Sequence, residues 1–286
     1  MILVTGATGN VGSELVRALA ARGEAVRALA RSPDRAAFPP AVQVVPGDLG
    51  APASLTAALA GVSKVFLLGG FATMADVLRR IRGAGAGQVV LLTSRCVIGG
   101  NPENAVTRMW LESEAAVRAC GVPWTMLRPS GFQSNALRWL PQLRRGDVVS
   151  TAWPDVPIAA IDPADIAAVA AAVLTQPGHQ DTALTLSGPR PLTPGDQVKT
   201  LAQVLRRPLR YEPLSDEQAR AQMAADTPAE LIDAFFRFFS AGEFDDSPVV
   251  DTVHRVTGRP PRTFEQWAEA HRLLFTGGSS RDLLPR

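Results

Sequence analysis

The sequence predicts an α/β chain: a doubly wound parallel sheet with helices on both faces, followed by a small, mainly helical lobe. Three observations carry this. Short apolar runs alternate with amphipathic helical stretches over residues 1–131, and such alternation builds parallel sheets with helical crossovers. The chain opens on strand, glycine turn and helix, in that order, over Met1 to Gly12 and beyond. After Pro129 the rhythm gives way to helical spacing broken by loops rich in Pro and Trp.

Each element follows from its own pattern. Ile2 to Val4 reads as a short buried strand, and Ser13 to Arg22 as a helix with Leu15, Val16 and Leu19 on one face. Ala25 to Leu29 and Val42 to Pro46 are the second and third strands, with a short helix over Ser54 to Leu59. Lys64 to Leu68 is the fourth strand, Thr73 to Gly83 a helix, Gln88 to Thr93 the fifth strand, Glu103 to Cys120 a long helix and Trp124 to Arg128 the sixth strand. Right-handed crossovers arrange these in the order 3-2-1-4-5-6. Beyond them, Phe132 to Arg145 has helical apolar spacing, and Asp147 to Ala160 is a loop and strand. A helix over Pro163 to Leu174 is capped by Asp162. Thr182 to Leu186 is a strand, Thr193 caps a helix running to Leu205, and Ser215 to Phe275 is mostly helical. The expected organisation is a dinucleotide-binding core over 1–131, a substrate lobe over 132–275 with segments returning to the core, and a flexible tail over 276–286.

Bulk properties exclude other classes. The chain has 286 residues, 46% hydrophobic and 20% charged, and a net charge of +2, too small to argue for nucleic acid. Cys96 and Cys120 form neither a metal signature nor a disulfide framework, and His179, His254 and His271 have no ligand spacing, so no metal is expected. The arginines at 79, 80, 82, 144 and 145 read as solvated helix faces or ends. The chain opens on a core strand without a charged leader, and no apolar run approaches about 18 residues. A cytoplasmic, unanchored protein is expected; a homodimer is left open.

Gly6, Gly9 and Gly12, three apart between a strand and a helix, are the signature of a pyrophosphate cradle. A side chain there would block the phosphates or the close helix–strand contact. Thr8, Asn10 and Val11 complete the candidate loop.

Beyond the loop, the stretches Thr5 to Gly12, Trp124 to Pro129 and Phe132 to Asn135 resemble those of the NmrA-like atypical short-chain dehydrogenases/reductases. Asp162 to Ala167, Leu186 to Pro189 and Val256 to Pro261 are similar to the later blocks of that family, so the resemblance runs from residue 1 to about 275. It implies a Rossmann-type NAD(P)-binding fold with a small C-terminal lobe. Its members include quinone and dye reductases, aromatic ether reductases and non-catalytic redox-sensing regulators. The resemblance also carries an adenine-flanking role to Asp48 and Leu49, and places the turn at Pro129, Ser130 and Gly131 beside the nicotinamide.

The second strand ends in Arg31 and Ser32 with no acid at its tip. An acid there would grip a ribose 2′-hydroxyl; a guanidinium and a hydroxyl suit a 2′-phosphate, and Arg35 adds a second charge. NADPH is therefore preferred over NADH. Asp34 reads as a turn or cap residue. Leu68, Gly69 and Gly70 end the fourth strand, where small residues let the cofactor ribose approach. Thr93 and Ser94 end the fifth, at the edge where ligands bind in such sheets.

Ordinary short-chain dehydrogenases carry a Tyr and, four residues on, a Lys on the helix after the fifth strand. Anchored on Glu114, those positions fall on Val106 and Trp110. Tyr211 is the only tyrosine, and no Tyr-x-x-x-Lys occurs anywhere. A reductase whose acceptor needs only hydride is the leading reading: a small aromatic or quinone-like molecule, with Ser94 or Gln133 as candidate holders of its carbonyl. A non-catalytic NADP(H) sensor and a non-redox biosynthetic enzyme are the alternatives. Phe71, Trp110, Phe132, Gln133 and Trp153 are candidate lining of the substrate pocket, with Met109 and Trp139 beside them; core packing is the plain alternative for each. Phe235, Phe236, Phe238 and Phe239 form an aromatic patch of which one pair packs on the domain. Glu112 and Glu114 read as solvated carboxylates, and Cys96 as a buried, inert thiol.

Overall fold

The computed structural model describes residues 1–276; the expected tail, apart from Thr276, lies outside them, as does the Arg35 side chain. The first half alternates as its pattern requires. β1 (Ile2–Val4) leads through the glycine turn to α1 (Asn10–Ala21). β2 (Val26–Ala30) and β3 (Gln43–Pro46) follow, then α2 (Thr56–Leu59) and β4 (Lys64–Leu68). α3 (Met74–Gly83), β5 (Gln88–Leu92), α4 (Ala105–Ala119) and β6 (Trp124–Pro129) complete it. α1 begins three residues earlier than its apolar spacing suggested, because Gly9 serves as N-cap and the last glycine of the turn is already helical.

The second half supplies α5 (Leu140–Leu143), β7 (Val148–Thr151), α6 (Pro163–Thr175) and β8 (Thr182–Leu186). α7 (Pro194–Leu205), β9 (Arg210–Pro213), α8 (Asp216–Met223) and α9 (Ala229–Phe239) come next. α10 (Thr252–Thr257), α11 (Phe264–Ala270) and α12 (Arg272–Phe275) close the described chain. The helix expected over Phe132 to Arg145 is instead a 3-10 run over Gln133–Trp139 followed by the single turn of α5. Pro141 has no N–H to give a continuous α-helix, so the chain restarts around it. β9 was not expected: it is short and largely exposed, without alternation, and pairs only with β7.

The main sheet is parallel, in the order β3-β2-β1-β4-β5-β6-β8, so β8 extends the expected order by one strand. Strand periodicity divides the core. Ile2, Val4, Phe66, Val90, Leu92 and Leu127 face the layer of α1, α6 and α10. Leu3, Val65, Leu67, Val89, Leu91 and Met126 face α2, α3 and α4. Burial on both faces is why these strands read as unbroken apolar runs. The carbonyls at the end of α6 are capped from the sheet by Lys64 Nζ and Gln88 Nε2. A third core, around Trp139, Leu201 and Trp267, joins α5, α7 and α11. Phe238 of α9 packs with Val106 and Cys96, and Phe236 packs with Ala152 and Ile232. No helix among the described residues is long and apolar enough to cross a membrane.

Candidate active site

The carboxyl ends of β1, β4, β5 and β6 line one edge of the sheet, and the candidate residues gather there. Gly6 takes a left-handed φ of +59°, and a Cβ on it would stand 2.3 Å from Leu68 Cδ1. A Cβ on Gly12 would stand 2.1 Å from the Gly6 carbonyl oxygen. These two glycines let α1 and β4 close on the turn. Gly9 differs: it is exposed, and a Cβ there meets only the Gly6 oxygen, at 3.2 Å. As N-cap it brings no side chain to the first-turn N–H groups. Thr8, Gly9 and Asn10 are exposed, while Val11 and Gly12 are buried beneath them. An exposed helix N-terminus without a side-chain cap, over a glycine floor, matches a pyrophosphate in charge and space.

The neighbouring tips are tied to this turn. Thr5 Oγ1 accepts the Leu68 N–H at 3.0 Å. The Gly70 N–H donates to Ser113 Oγ at 2.9 Å, and a Cβ on Gly69 would meet Trp110 at 2.9 Å. Trp110, in the position where the lysine would stand, therefore packs on the tip of β4. Val106, in the tyrosine position, is buried beside Cys96 and Phe238. Arg31 and Ser32 are exposed just past β2, and Asp34 lies in a 3-10 turn. Asp48 is exposed and accepts the Gly50 N–H at 2.9 Å in a local turn; Leu49 is buried. Phe71 and Phe132 are half-buried, packed against the two faces of the core.

Ser94 is half-buried past β5 and accepts the Cys96 N–H at 3.3 Å. Gln133 is not placed to donate to a substrate carbonyl. It is buried, and its Nε2 donates to Ala160 O and Arg262 O, each at 3.2 Å. Trp153 packs on Phe236 and Phe239, with its indole N–H on Ser240 Oγ at 3.1 Å. Trp139 is core. Phe236 and Phe238 are the inward pair of the aromatic patch, and Phe235 and Phe239 are half-buried. Burial pushes the Cys96 thiol up, in keeping with an inert cysteine.

The largest correction concerns Glu114, which is not solvated but fully buried. Arg128 grips it with two hydrogen bonds, Nε to Oε1 at 2.8 Å and Nη2 to Oε2 at 2.6 Å. Arg118 adds a third at 3.0 Å, and Thr93 Oγ1 a fourth at 3.2 Å. One carboxylate on α4 thus joins the ends of β5 and β6. A second network sits above the same tips, where Arg95, Ser130, Gly131 and Asp246 meet. Two of the later sequence blocks also meet: Asp165 contacts Arg259 at 2.6 Å and accepts the Arg262 N–H at 2.6 Å, and Arg262 pairs with Asp162 at 2.9 Å. Burial raises both aspartates, and the neighbouring backbone N–H groups and arginines oppose it. Among the described residues no group of three or more His, Cys, Asp or Glu side chains is arranged to hold a metal ion.

A parallel sheet in this order, with a glycine turn and an open helix N-terminus at its centre, defines a Rossmann-type dinucleotide-binding protein. The chain belongs to the NAD(P)H-binding family, whose model matches residues 6–177, and the resemblance to its NmrA-like, atypical short-chain members holds. It is 42% identical over 280 residues to a (4-alkanoyl-5-oxo-2,5-dihydrofuran-3-yl)methyl phosphate reductase of Streptomyces griseus, covering 96% of this chain and 99% of the relative. It is 35% identical over 286 residues to an NAD(P)H azoreductase of Xenophilus azovorans, again covering 96% and 99%. The solved NADPH complex of an NADPH-dependent quinone oxidoreductase from Escherichia coli superposes with a TM-score of 0.77 at 25% identity, covering 94% of this chain and 98% of that one. The chain is an NAD(P)H-dependent reductase.

Proposed function

We propose that the protein prefers NADPH and reduces a small aromatic or quinone-like acceptor without a tyrosine–lysine pair. The observation that carries this reading is the packing of Trp110 against the tip of β4, with Val106 buried one turn before it. The face of α4 that would present the proton-transfer pair presents an indole wall instead. Such a wall orients a flat conjugated acceptor and does not move a proton.

The turn from Gly6 to Gly12 would hold the pyrophosphate, and Arg31 with Ser32 the 2′-phosphate. Asp48 and Leu49 would flank the adenine. Leu68, Gly69, Gly70, Thr93, Pro129 and Ser130 would border the ribose and nicotinamide. The dinucleotide, when bound, supplies the hydride. Ser94, whose hydroxyl oxygen accepts the Cys96 N–H, would hold the acceptor's carbonyl through its O–H. Charge on the reduced acceptor is met by a proton from water, which a quinone oxygen accepts readily.

The Streptomyces griseus relative favours a second acceptor class, a conjugated lactone bearing a phosphate. There hydride adds at the β carbon and a proton at the α carbon. A panel of quinones, azo dyes and a phosphomethyl butenolide is expected to show loss of NADPH absorbance with at least one member. Tight NADPH binding with no turnover across the panel would sink the reading. Arg31→Ala is expected to weaken NADPH by roughly tenfold or more, through loss of charge-assisted hydrogen bonds, and NADH little. Equal loss of both in a binding titration would rule out the 2′-phosphate role.

A further inference from the structure

We propose that Asp246 is a positioning residue for this reaction, fixing the Ser130–Gly131 turn at the carboxyl end of β6 with Arg95 as its counter-ion. The inference rests on the reading above, which places that turn beside the nicotinamide. Asp246 comes from the loop between α9 and α10, far along the chain from β6. Its Oδ2 accepts the Gly131 N–H at 2.8 Å, and its carbonyl accepts the Ala159 N–H at 2.8 Å. The Gly131 carbonyl in turn accepts the Ile161 N–H at 2.8 Å. Arg95, three residues past β5, spans the two strand tips. Its Nη1 donates to Ser130 Oγ at 3.3 Å and to Pro248 O at 2.6 Å. A single loop of the lobe is therefore locked onto the turn through one acid and one guanidinium.

The lock is unevenly satisfied. Asp246 is only 5% exposed, its Oδ1 has no hydrogen-bond partner, and Arg95 Nη1 lies 3.7 Å from it. Burial pushes the carboxyl up to about 6, against the Gly131 N–H, Arg95 and Ser130, which favour the charged form. The other groups facing it do not titrate near there. The Cys96 thiol is raised by burial from its already alkaline value, and Asp245 is lowered by its hydrogen bond from Ser247. The guanidinium of Arg95 is the cation facing Asp246, at 3.7 Å. Arg95 and Asp245 also line a cavity of about 390 Å³ with Ile98, Phe244 and Val250, which gives solvent a route towards the pair. Protonating Asp246 removes the attraction to Arg95 and weakens the grip on Gly131.

The test is the amide proton shift of Gly131, followed by NMR between about pH 5 and 8 on the full chain, beside the pH profile of kcat. The shift should titrate with a midpoint near 6 in the wild type and lose that titration in Asp246→Asn. Arg95→Met should raise the midpoint by about one pH unit, because the cation favouring the carboxylate is gone. In the wild type, kcat should fall as pH drops through the same midpoint, with KM for NADPH unchanged. Asp246→Asn should lower kcat roughly tenfold and flatten its profile, and Asp246→Glu should restore part of both. A Gly131 shift that does not titrate, or titrates equally in Asp246→Asn, overturns the proposal. So does a kcat profile that ignores the midpoint. A Gly131 titration with no acceptor turned over supports the coupling and counts only against the reductase reading. The wild-type titration and Asp246→Glu keep the test open if Asp246→Asn does not fold.

Discussion

Gly12→Ala is expected to unfold the cofactor cradle, whereas Gly9→Ala is expected to leave the fold intact and empty it of affinity. The two glycines look alike in sequence and differ in what surrounds them. A methyl on Gly12 would lie 2.1 Å from the Gly6 oxygen, 2.7 Å from its carbonyl carbon and 2.9 Å from Ala7 Cα. All three are backbone atoms, so α1 must move off the turn. Helix propensity would favour Ala by about 1 kcal/mol, and overpacking of this severity costs about 3 kcal/mol or more. At Gly9 the φ of −85° suits any residue, and the only close atom is at 3.2 Å. The methyl there would instead point into the space over the helix N-terminus. Thermal unfolding should show Gly9→Ala within a few degrees of the wild type and Gly12→Ala well below it. NADPH affinity should fall by roughly tenfold or more in Gly9→Ala. A Gly9→Ala protein that binds NADPH normally would mean that the phosphates do not lie on this turn.

Much of this architecture can be read from the chain because its determinants are local. Ile2–Val4, Lys64–Leu68 and Thr182–Leu186 are strands between the residues where their apolar runs start and stop. Asp162 and Thr193 cap the helices they precede, the latter in a full capping box. The cradle was legible for the same reason: its glycines meet atoms within one turn and one neighbouring strand. What escaped is non-local. Glu114 has the flanking pattern of an ordinary helix carboxylate, and only the approach of Arg128 from β6 makes its burial possible. Asp246 stands in the stretch from Ser215 to Phe275 that reads as mostly helical, and nothing near it in sequence announces Arg95 or Gly131. β9 fails differently. Its pattern lacks alternation because one strand edge and most of its surface face solvent, so pairing with β7 leaves no trace in hydropathy. Gln133 shows the converse. Its residue type suggested a donor to a substrate carbonyl, and its Nε2 donates instead to the carbonyls of Ala160 and Arg262.

Glu114→Ala is expected to be among the most destabilising single substitutions in this chain, at about 3–5 kcal/mol. The buried carboxylate is compensated by a bidentate Arg128, by Arg118 and by the Thr93 hydroxyl, so every lone pair facing the core has a donor. Removing it leaves the Arg128 guanidinium, whose side chain is only 19% exposed, without its partner between α4 and β6. Uncompensated charge, rather than the lost bonds themselves, is the larger part of that penalty. Glu114→Leu should therefore be nearly as damaging as Glu114→Ala, despite its better packing. Combining Glu114→Leu with Arg128→Leu should recover much of the loss, because no buried charge is then left unpaired. Denaturant unfolding of the two single variants and the double variant measures this directly. Single variants within about 1 kcal/mol of the wild type would show that solvent reaches Arg128 and that the pair is dispensable. Turnover is expected to behave differently from stability. Arg128 leads straight into Pro129 and Ser130, and Thr93 into Ser94, so the carboxylate sets the relative position of the two strand tips that the proposed reading puts beside the nicotinamide. An apolar pair can fill the same volume without aiming those tips, and the double variant should regain its fold while remaining slow.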